Sequence, residues 1–391
     1  MSTHVIDTRD APASAASAGI RRRQQRWLAD LDHPGQLLSN ITPNCFASVM
    51  GTGIVATAAA SLPVSIPGLR PFATLAWALA ALWLTAVTAA TAAHWVRHRD
   101  TARRHHQHAV MAHFYGAPPM ALLTVGAGTL VLGKDVIGLS AALVVDWTLW
   151  TLGTVLGLAS AVLVPFLQFT RHRDVTPESA FGGWLMPVVP PMVSATTGGM
   201  LIPYVAPGAG RELLLAACYA MFGLSLIASL IVITLIWNLL AVHKVGAAAM
   251  VPTLWIVLGP LGQSMTAANV LADAAPHAMA APYADAFRAF ALVYSLPVWG
   301  FAMLWAAVAT AVTVGTARAG LPFSLTWWSF TFPVGTCVTA ASGLALHTGL
   351  PAFRWAAAVL YTALVGAWLL VGIRTVLGVY RGTLLRPPAA A

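Results

Sequence analysis

The sequence has very few charged residues for its length. Asp, Glu, Lys and Arg together make up 8% of its 391 residues, whereas hydrophobic residues make up 58%. An ordinary soluble domain carries about 25% charged residues, so a water-soluble fold of this size would lack most of its surface charge. The high apolar content also excludes intrinsic disorder. The sequence therefore predicts a protein whose main solvent is the lipid bilayer.

The sequence has few cysteines and lacks the sequence patterns that are typical of metal sites. Cys45, Cys218 and Cys337 lie far apart in apolar sequence and form neither a Cys-x-x-Cys pair nor a zinc-binding pattern. The tract from Arg103 to His108 is rich in histidine, but its arginines repel a cation. We therefore expect no metal site and no cofactor.

The balance of charge is basic, with 21 Lys and Arg against 12 Asp and Glu and a net charge of +9. In a soluble domain this would suggest nucleic-acid binding, but here the basic residues lie between apolar runs. Most of them fall in the N-terminal tail, in the loops after even-numbered runs and near the C-terminal end. Because positive charge favours the cytoplasmic side, we expect both termini in the cytoplasm, the bacterial inner membrane as location, and no nucleic-acid partner.

Ten apolar runs follow one another along the chain, and each can supply the roughly 20 residues with which a helix crosses a bilayer. They predict an all-α integral membrane protein with ten transmembrane helices. We expect a cytosolic tail at 1–40, a transmembrane domain at 41–381 and a second cytosolic tail at 382–391. The runs are 44–62, 72–96, 110–132, 140–168, 183–205, 212–241, 250–272, 286–315, 325–347 and 353–380.

The odd-numbered runs contain glycine or proline near their middles, whereas the even-numbered runs are mostly regular. The breaks recur at intervals of about 70 residues, which indicates a repeated helical hairpin. Irregular backbone at membrane depth is tolerated where it is buried in protein or lines a cavity. The repeat thus predicts five hairpins in a quasi-five-fold ring, with the odd helices around a central pore. The candidate pore-lining and kink residues are Gly51, Gly53, Pro119, Pro190, Gly259, Pro260 and Pro333.

The middles of the predicted spans contain no acidic residue, lysine or arginine. Cation channels and proton-coupled pumps usually need carboxylates within the membrane, so this pattern favours an anion path. Hydroxyls, amides and helix N-termini attract an anion without a buried cation, although a Ser or Thr hydroxyl often bonds its own helix instead. The candidate anion-contacting residues are Thr52, Thr196, Gln263, Ser264, Thr331 and Thr336, and further hydroxyls of these runs include Thr124, Thr266 and Thr339.

Four short motifs stand in order along the chain. They are Phe-Ala-Ser-Val-Met-Gly-Thr-Gly-Ile at 46–54, Trp-Leu-Met-Pro-Val-Val-Pro-Pro at 184–191, Leu-Gly-Pro-Leu-Gly-Gln-Ser at 258–264 and Trp-Trp-Ser-Phe-Thr-Phe-Pro at 327–333. With the ten runs, these motifs resemble the tellurite-resistance/dicarboxylate transporter family over about residues 40–380. That family includes bacterial TehA, plant slow anion channels, fungal malic-acid permeases and fungal sulfite efflux pumps.

The resemblance implies a homotrimer with one pore in each subunit. It also implies a phenylalanine that occludes the pore, which corresponds to Phe332, and an important pore glycine, which corresponds to Gly51 or Gly53. Without the resemblance, Phe332 packed between inner helices is an equal alternative.

The leading hypothesis for function is a gated, channel-like transporter of small anions, either passive or weakly coupled. Its candidate substrates are sulfite, C4-dicarboxylates such as malate, tellurite and chloride, and the Gly-Pro-Leu-Gly-Gln stretch is most similar to the sulfite-efflux branch. The alternative is a proton-coupled carrier for C4-dicarboxylates, with His113 as its candidate titrating histidine. An enzyme is disfavoured because the spans hold no buried acid/base pair. Gly153 and Gly157 indicate either an oligomer contact or close packing within the subunit.

Overall fold

The computed structural model describes residues 34–171 and 179–385, together with Leu28 and Leu31. Within these residues the regular secondary structure is all helical, with no β-strand. The all-α class predicted from the apolar runs is therefore confirmed. The predicted tails at 1–40 and 382–391 lie largely outside the described residues.

Twelve α-helices follow one another in the described part of the chain, and five of them are between 29 and 38 residues long. At 1.5 Å per residue, each of these five exceeds the roughly 30 Å hydrocarbon core of a bilayer. The helices are α1 (Phe46–Ser61), α2 (Leu69–Arg97), α3 (Arg99–Gln107), α4 (Ala117–Gly128), α5 (Lys134–Ile137), α6 (Leu139–Thr170), α7 (Pro190–Leu201), α8 (Ala209–His243), α9 (Leu258–Ala278), α10 (Tyr283–Gly320), α11 (Phe332–Thr348) and α12 (Pro351–Arg381).

The five long helices carry the even-numbered runs and expose apolar side chains. Leu82 of α2, Val155 of α6, Ile227 of α8 and Val376 of α12 are each more than half exposed. Such a surface suits contact with lipid. The five helices α1, α4, α7, α9 and α11 carry the odd-numbered runs and are mostly buried. The two kinds of helix that the sequence distinguishes thus occupy different layers of the fold.

Each buried helix is preceded by a short 3₁₀ segment, and this arrangement occurs five times. The sequence predicts a kink inside each odd-numbered helix, but α4, α7 and α11 instead have proline in their first turn. Proline is tolerated there because the N–H groups of a first turn have no partner within the helix. The 3₁₀ segments are Pro43–Cys45, Met111–Gly116, Gly182–Leu185, Ala248–Val257 and Leu325–Phe330.

Nine helical stretches of the described residues are long and apolar enough to cross a membrane, judged by length and composition. They correspond to every predicted run except the fifth, 183–205. That run is divided into Gly182–Leu185, Pro190–Leu201 and Ile202–Tyr204. The difference from ten continuous helices has a plain cause, since Pro187, Pro190 and Pro191 interrupt the backbone hydrogen bonds of a helix.

The buried helices pack closely against one another and against the long helices. α1 contacts α4 and α11, and the contacts continue from α4 to α7, from α7 to α9 and from α9 to α11. Each buried helix also packs on the long helix that follows it in the chain. A Cβ added at Gly262 of α9 would lie 2.6 Å from the backbone nitrogen of Cys337 in α11. Glycine at this position therefore permits two helix backbones to approach closely.

The two glycines of α6 serve packing within the chain. A Cβ at Gly153 would lie 2.7 Å from Leu123 of α4, and a Cβ at Gly157 would lie 2.9 Å from Pro190 of α7. Of the two interpretations of this Gly-x-x-x-Gly motif, the structure therefore supports close packing within the subunit.

Candidate functional site

Two cavities lie between the buried helices, and Phe332 lines both of them. The wide cavity has a volume of about 480 Å³ and the small cavity one of about 30 Å³. Phe332, the first residue of α11, is the residue that lines both of them. Its side chain is buried, with 5% of the residue exposed. This one side chain therefore contacts both cavities.

The wide cavity receives a polar side chain from each of the five buried helices. Each of these side chains lies beyond the first turn of its helix. They are Thr57 of α1, Thr124 of α4, Thr196 of α7, Gln263 of α9 and Thr339 of α11. The side-chain amide of Gln263 donates a hydrogen bond of 2.7 Å to the hydroxyl of Thr196. The wide cavity can therefore offer hydroxyl and amide groups to a polar guest.

The small cavity is lined by the beginnings of the same helices and is almost entirely apolar. Each of α4, α7, α9 and α11 contributes at least one lining residue in or beside its first turn, and α1 contributes Met50. Its lining includes Met120, Val189, Gly259, Pro260 and Pro333. Because a helix N-terminus carries partial positive charge, the parallel orientation of these helix starts favours an anion at this level without any basic side chain.

Six of the predicted site residues lie along one of the two cavities. Phe332 lines both of them, Gly259, Pro260 and Pro333 line the small cavity, and Thr196 and Gln263 line the wide cavity. Thr124, Thr266 and Thr339 also line the wide cavity.

The remaining predicted hydroxyls form hydrogen bonds with side chains of neighbouring helices or with backbone carbonyls one turn earlier in the chain. The hydroxyl of Thr52 accepts a hydrogen bond from the indole of Trp368 on α12 (3.1 Å), and the hydroxyl of Ser264 accepts one from Tyr294 on α10 (2.8 Å). Thr331 donates to the carbonyl of Trp328, and Thr336 donates to that of Pro333, each at 2.7 Å. The structure thus does not bring these four residues together around either cavity.

The predicted glycines of the first run and two of the predicted prolines also lie at helix contacts. A Cβ at Gly51 would lie 2.6 Å from the ring of Trp328, and one at Gly53 would lie 2.7 Å from the methyl group of Thr124. Pro119 and Pro190 lie against the glycines of α6. At these four positions the fold needs close packing between helices.

A polar cluster at the far end of the wide cavity was missed by the sequence analysis. Asn269 and Asp273 of α9 line the cavity, and the ring of His347 at the end of α11 bridges them. Nδ1 of the ring lies 2.7 Å from Oδ1 of Asn269, and Nε2 lies 2.9 Å from Oδ1 of Asp273. The spacing of Asn269 and Asp273 puts them on one helix face, which is the one signal in the sequence that points to the cluster.

His113, the titrating candidate of the sequence analysis, lies elsewhere. Its ring is buried, stacks on Trp184 at a centroid distance of 6.0 Å, and lies 3.4 Å from the side-chain oxygen of Gln168. The histidine beside the wide cavity is His347 instead. The reason is geometric, because His113 belongs to the 3₁₀ segment before α4 and not to the helix that lines the cavity.

Long apolar helices around buried helices with internal cavities define a multi-pass membrane protein. A family model described as SLAC1, voltage-dependent anion channel, matches residues 40–376, and the chain belongs to this family. The match confirms the resemblance to the tellurite-resistance/dicarboxylate transporters. The fold and the family together establish an anion-transporter family protein of the membrane.

Curated relatives extend over nearly the whole chain. A sulfite efflux pump of Trichophyton rubrum is 26% identical over 361 residues, which cover 91% of this chain and 93% of the relative. A sulfite efflux pump of Arthroderma otae is 27% identical over 330 residues, which cover 82% of this chain and 84% of the relative. An uncharacterized transporter of Methanocaldococcus jannaschii is 25% identical over 351 residues, which cover 90% of this chain and 96% of the relative. The family and these relatives are channels or transporters.

Proposed function

We propose that this protein passes small anions across the membrane along a path through the wide cavity, past Phe332 and through the small cavity. The observation that carries the proposal is the position of Phe332, which lines both cavities. The path would be passive and channel-like. Opening it would require movement of one aromatic side chain, and rotamer changes of this kind are fast.

The neutral polar groups and the helix N-termini along the two cavities support an anion as the guest. The wide cavity offers hydroxyls and an amide, and the small cavity faces the N-terminal turns of four helices. Neither cavity is lined by a lysine or arginine in the described part of the chain. An anion held by dipoles alone binds weakly, and weak binding suits rapid passage.

The contacts among the buried helices support the quasi-five-fold ring that we propose for the path. Each of α1, α4, α7, α9 and α11 contacts two others of the set, and α11 returns to α1. All five contribute to the lining of the wide cavity. In this arrangement the long helices would form an outer layer towards lipid, and the divided run at 183–205 would complete a tenth crossing. The homotrimer remains part of the proposal on the strength of the family resemblance.

Sulfite is the first substrate to test, because several curated relatives are named sulfite efflux pumps. C4-dicarboxylates, tellurite and chloride remain competing substrates. We also propose that the protein lies in the bacterial inner membrane with both termini in the cytoplasm. A proton-coupled carrier is the second candidate function, favoured by the imidazole and carboxylate of His347 and Asp273 beside the wide cavity.

The test is the reversal potential of the purified protein in a planar bilayer. With a salt gradient, the reversal potential should follow the equilibrium potential of the anion, and substitution of one anion by another should give the order of permeability. A carrier that couples anions to protons would instead shift its reversal potential with a pH gradient. Currents that follow the cation, or no current above a protein-free bilayer, would refute the proposal.

A further inference from the structure

The wide cavity contains one charged side chain among its described lining residues, and its sign is wrong for an anion path. That residue is Asp273, whose side chain is 61% exposed. An unpaired carboxylate between low-dielectric walls repels an incoming anion. Its partner is the imidazole of His347, which is only 11% exposed. The charge of this pair therefore decides what an anion meets at the mouth of the wide cavity.

The hydrogen bonds of Asn269 fix which groups donate and which accept. Its side-chain nitrogen Nδ2 donates to the carbonyl oxygen of Met265 at 2.8 Å, so its oxygen Oδ1 must face His347. The opposite orientation of the amide would put two carbonyl oxygens against each other. Nδ1 of His347 thus faces an acceptor and must carry a hydrogen.

The second nitrogen of the ring faces an acceptor as well. Nε2 of His347 lies 2.9 Å from the carboxylate oxygen Oδ1 of Asp273. With Nδ1 already a donor, this contact is a hydrogen bond only if Nε2 or the carboxyl group also carries a hydrogen. The pair therefore makes both hydrogen bonds only when it holds one proton more than a neutral ring beside a free carboxylate. It has no net charge with that proton and a charge of −1 without it.

The surrounding structure holds the ring in this position. Gly343 lies one turn before His347 on α11, and a Cβ there would lie 2.9 Å from Nδ2 of Asn269. The close approach of α9 and α11 leaves the ring between Asn269 and Asp273. The other titratable or charged side chains at this end of the packed elements include Arg211 and Glu212 on α8, His277 on α9, Asp285 and Arg288 on α10 and Arg354 on α12. The guanidinium of Arg211 donates a hydrogen bond of 3.1 Å to the carbonyl oxygen of His277.

We propose that His347 and Asp273 form a proton-binding site at the mouth of the wide cavity, and that its proton sets the rate at which anions enter. The inference rests on the proposed function. With the proton bound, the mouth is neutral and anions enter. When the proton is lost, the free carboxylate repels them. Flux should therefore fall as pH rises on the side of the membrane that the wide cavity faces, and pH on the other side should have little effect.

The test uses chloride and nitrate, whose charges do not change with pH. Flux into liposomes is measured at about pH 5.5 and about pH 8.5, with each side of the membrane adjusted in turn. We expect wild-type flux to fall about tenfold at the higher pH on one side only. Asp273→Asn should give high flux at both values, and His347→Gln should give low flux at both. His277→Gln, one turn after Asp273, is the matched control and should keep the wild-type dependence.

A second measurement does not depend on transport. Nitrogen-15 spectra of the histidine-labelled full chain should contain one signal that His347→Gln removes. At low pH this ring should carry hydrogen on both nitrogens.

The outcomes separate the two proposals. If wild-type and Phe332→Ala proteins pass no anion at either pH, the proposed anion passage is refuted, and so is its control by the proton site. If anions pass but their flux ignores pH, or both variants keep the pH dependence, the proton site is refuted and the passage stands. A His347 ring that carries a single hydrogen throughout the range, beside an ionised Asp273, also refutes it.

Discussion

The side-chain amide of Gln263 donates a hydrogen bond of 2.7 Å to the hydroxyl of Thr196, and this contact joins α9 to α7 across the wide cavity. The hydroxyl of Thr196 in turn donates to the carbonyl oxygen of Met192 at 3.1 Å. Both side chains are almost fully buried. A neutral amide is thus held in a fixed orientation where we propose that an anion passes.

The first prediction concerns the charge tolerated at Gln263. Gln263→Glu keeps the shape of the side chain but adds an acid to the cavity, so the ionised form should lower anion flux by about tenfold or more. Gln263→Met is the matched control, because it removes the hydrogen bond without adding charge, and it should cost less flux. The measurement is chloride or sulfite flux into liposomes. Equal flux in the two variants would show that anions do not pass Gln263.

The second prediction concerns Gly51. A Cβ at this position would lie 2.6 Å from the ring of Trp328, which belongs to the 3₁₀ segment just before α11. Gly51→Ala should therefore destabilise the protein by about 1–3 kcal/mol through overpacking, and it should disturb the segment that leads to Phe332. Gly366→Ala on α12 is the control, because nothing lies within 4 Å of a Cβ there.

The readout is thermal unfolding in detergent together with anion flux. We expect lower stability and lower flux for Gly51→Ala, and wild-type values for Gly366→Ala. Unchanged stability of Gly51→Ala would contradict the tight contact between α1 and Trp328.

The third prediction concerns the histidine-rich segment after α2. Burial, together with the nearby charges of His94, His106, Arg104 and His108, lowers the pKa of His105 to about 4. The folded state therefore binds fewer protons than the unfolded chain between about pH 4 and the ordinary histidine value of about 6.5. The contribution of His105 to the free energy of unfolding is therefore fully present above about pH 6.5 and is lost as pH falls towards 4.

Thermal unfolding of the wild type should therefore shift to lower temperature as pH falls through this range. His105→Gln should show a flatter dependence, because glutamine does not titrate. The same fall in wild type and variant would assign the effect to other groups.

The fourth prediction concerns topology. The backbone N–H of Leu28 donates a hydrogen bond of 2.8 Å to the carbonyl oxygen of Tyr380 near the end of α12. The two ends of the described chain therefore lie at the same end of the helices. Given the distribution of basic residues, we expect this end in the cytoplasm. A C-terminal fluorescent-protein fusion should be bright, and a C-terminal alkaline-phosphatase fusion should be inactive. An active phosphatase would reverse the assignment.

The sequence predicts the repeat of the fold much better than the direction of its side chains. The glycines and prolines at intervals of about 70 residues correctly separate buried helices from long ones. They do not show that 3₁₀ segments precede the buried helices. A 3₁₀ helix has about 3.0 residues per turn and an α-helix about 3.6, so each transition changes which face points inwards. Thr196 faces the wide cavity, whereas Thr52 faces Trp368, because packing against neighbouring helices sets the rotation of each helix about its axis.

The cluster of His347, Asn269 and Asp273 lay beyond sequence reasoning for a different cause. Its members lie on two helices that are more than 70 residues apart in the chain. Only the contact between α9 and α11 brings them together. Asp273 alone resembles an acid near the end of a span, and His347 alone resembles a polar residue in the last turn of a helix. Their joint chemistry depends on tertiary packing.

The last prediction concerns Phe332 as the gate. Phe332 lines both a cavity of about 480 Å³ and one of about 30 Å³, and Phe332→Ala would remove most of its ring from between the buried helices. If the ring blocks the path, this variant should pass anions faster than wild type. If the ring serves only as packing, the variant should lose about 3–5 kcal/mol of stability without a gain in flux.

Phe330 provides the control because its ring points elsewhere. It packs against Trp255 and Trp327 at centroid distances of 5.5 and 5.8 Å, and it lines a separate cavity beside α10 and α12. Phe330→Ala should therefore lower stability without opening the path. The comparison needs single-channel or liposome flux and unfolding curves for both variants. A well-folded Phe332→Ala protein whose anion flux does not exceed that of wild type would rule out the gate, because no other described residue lines both cavities.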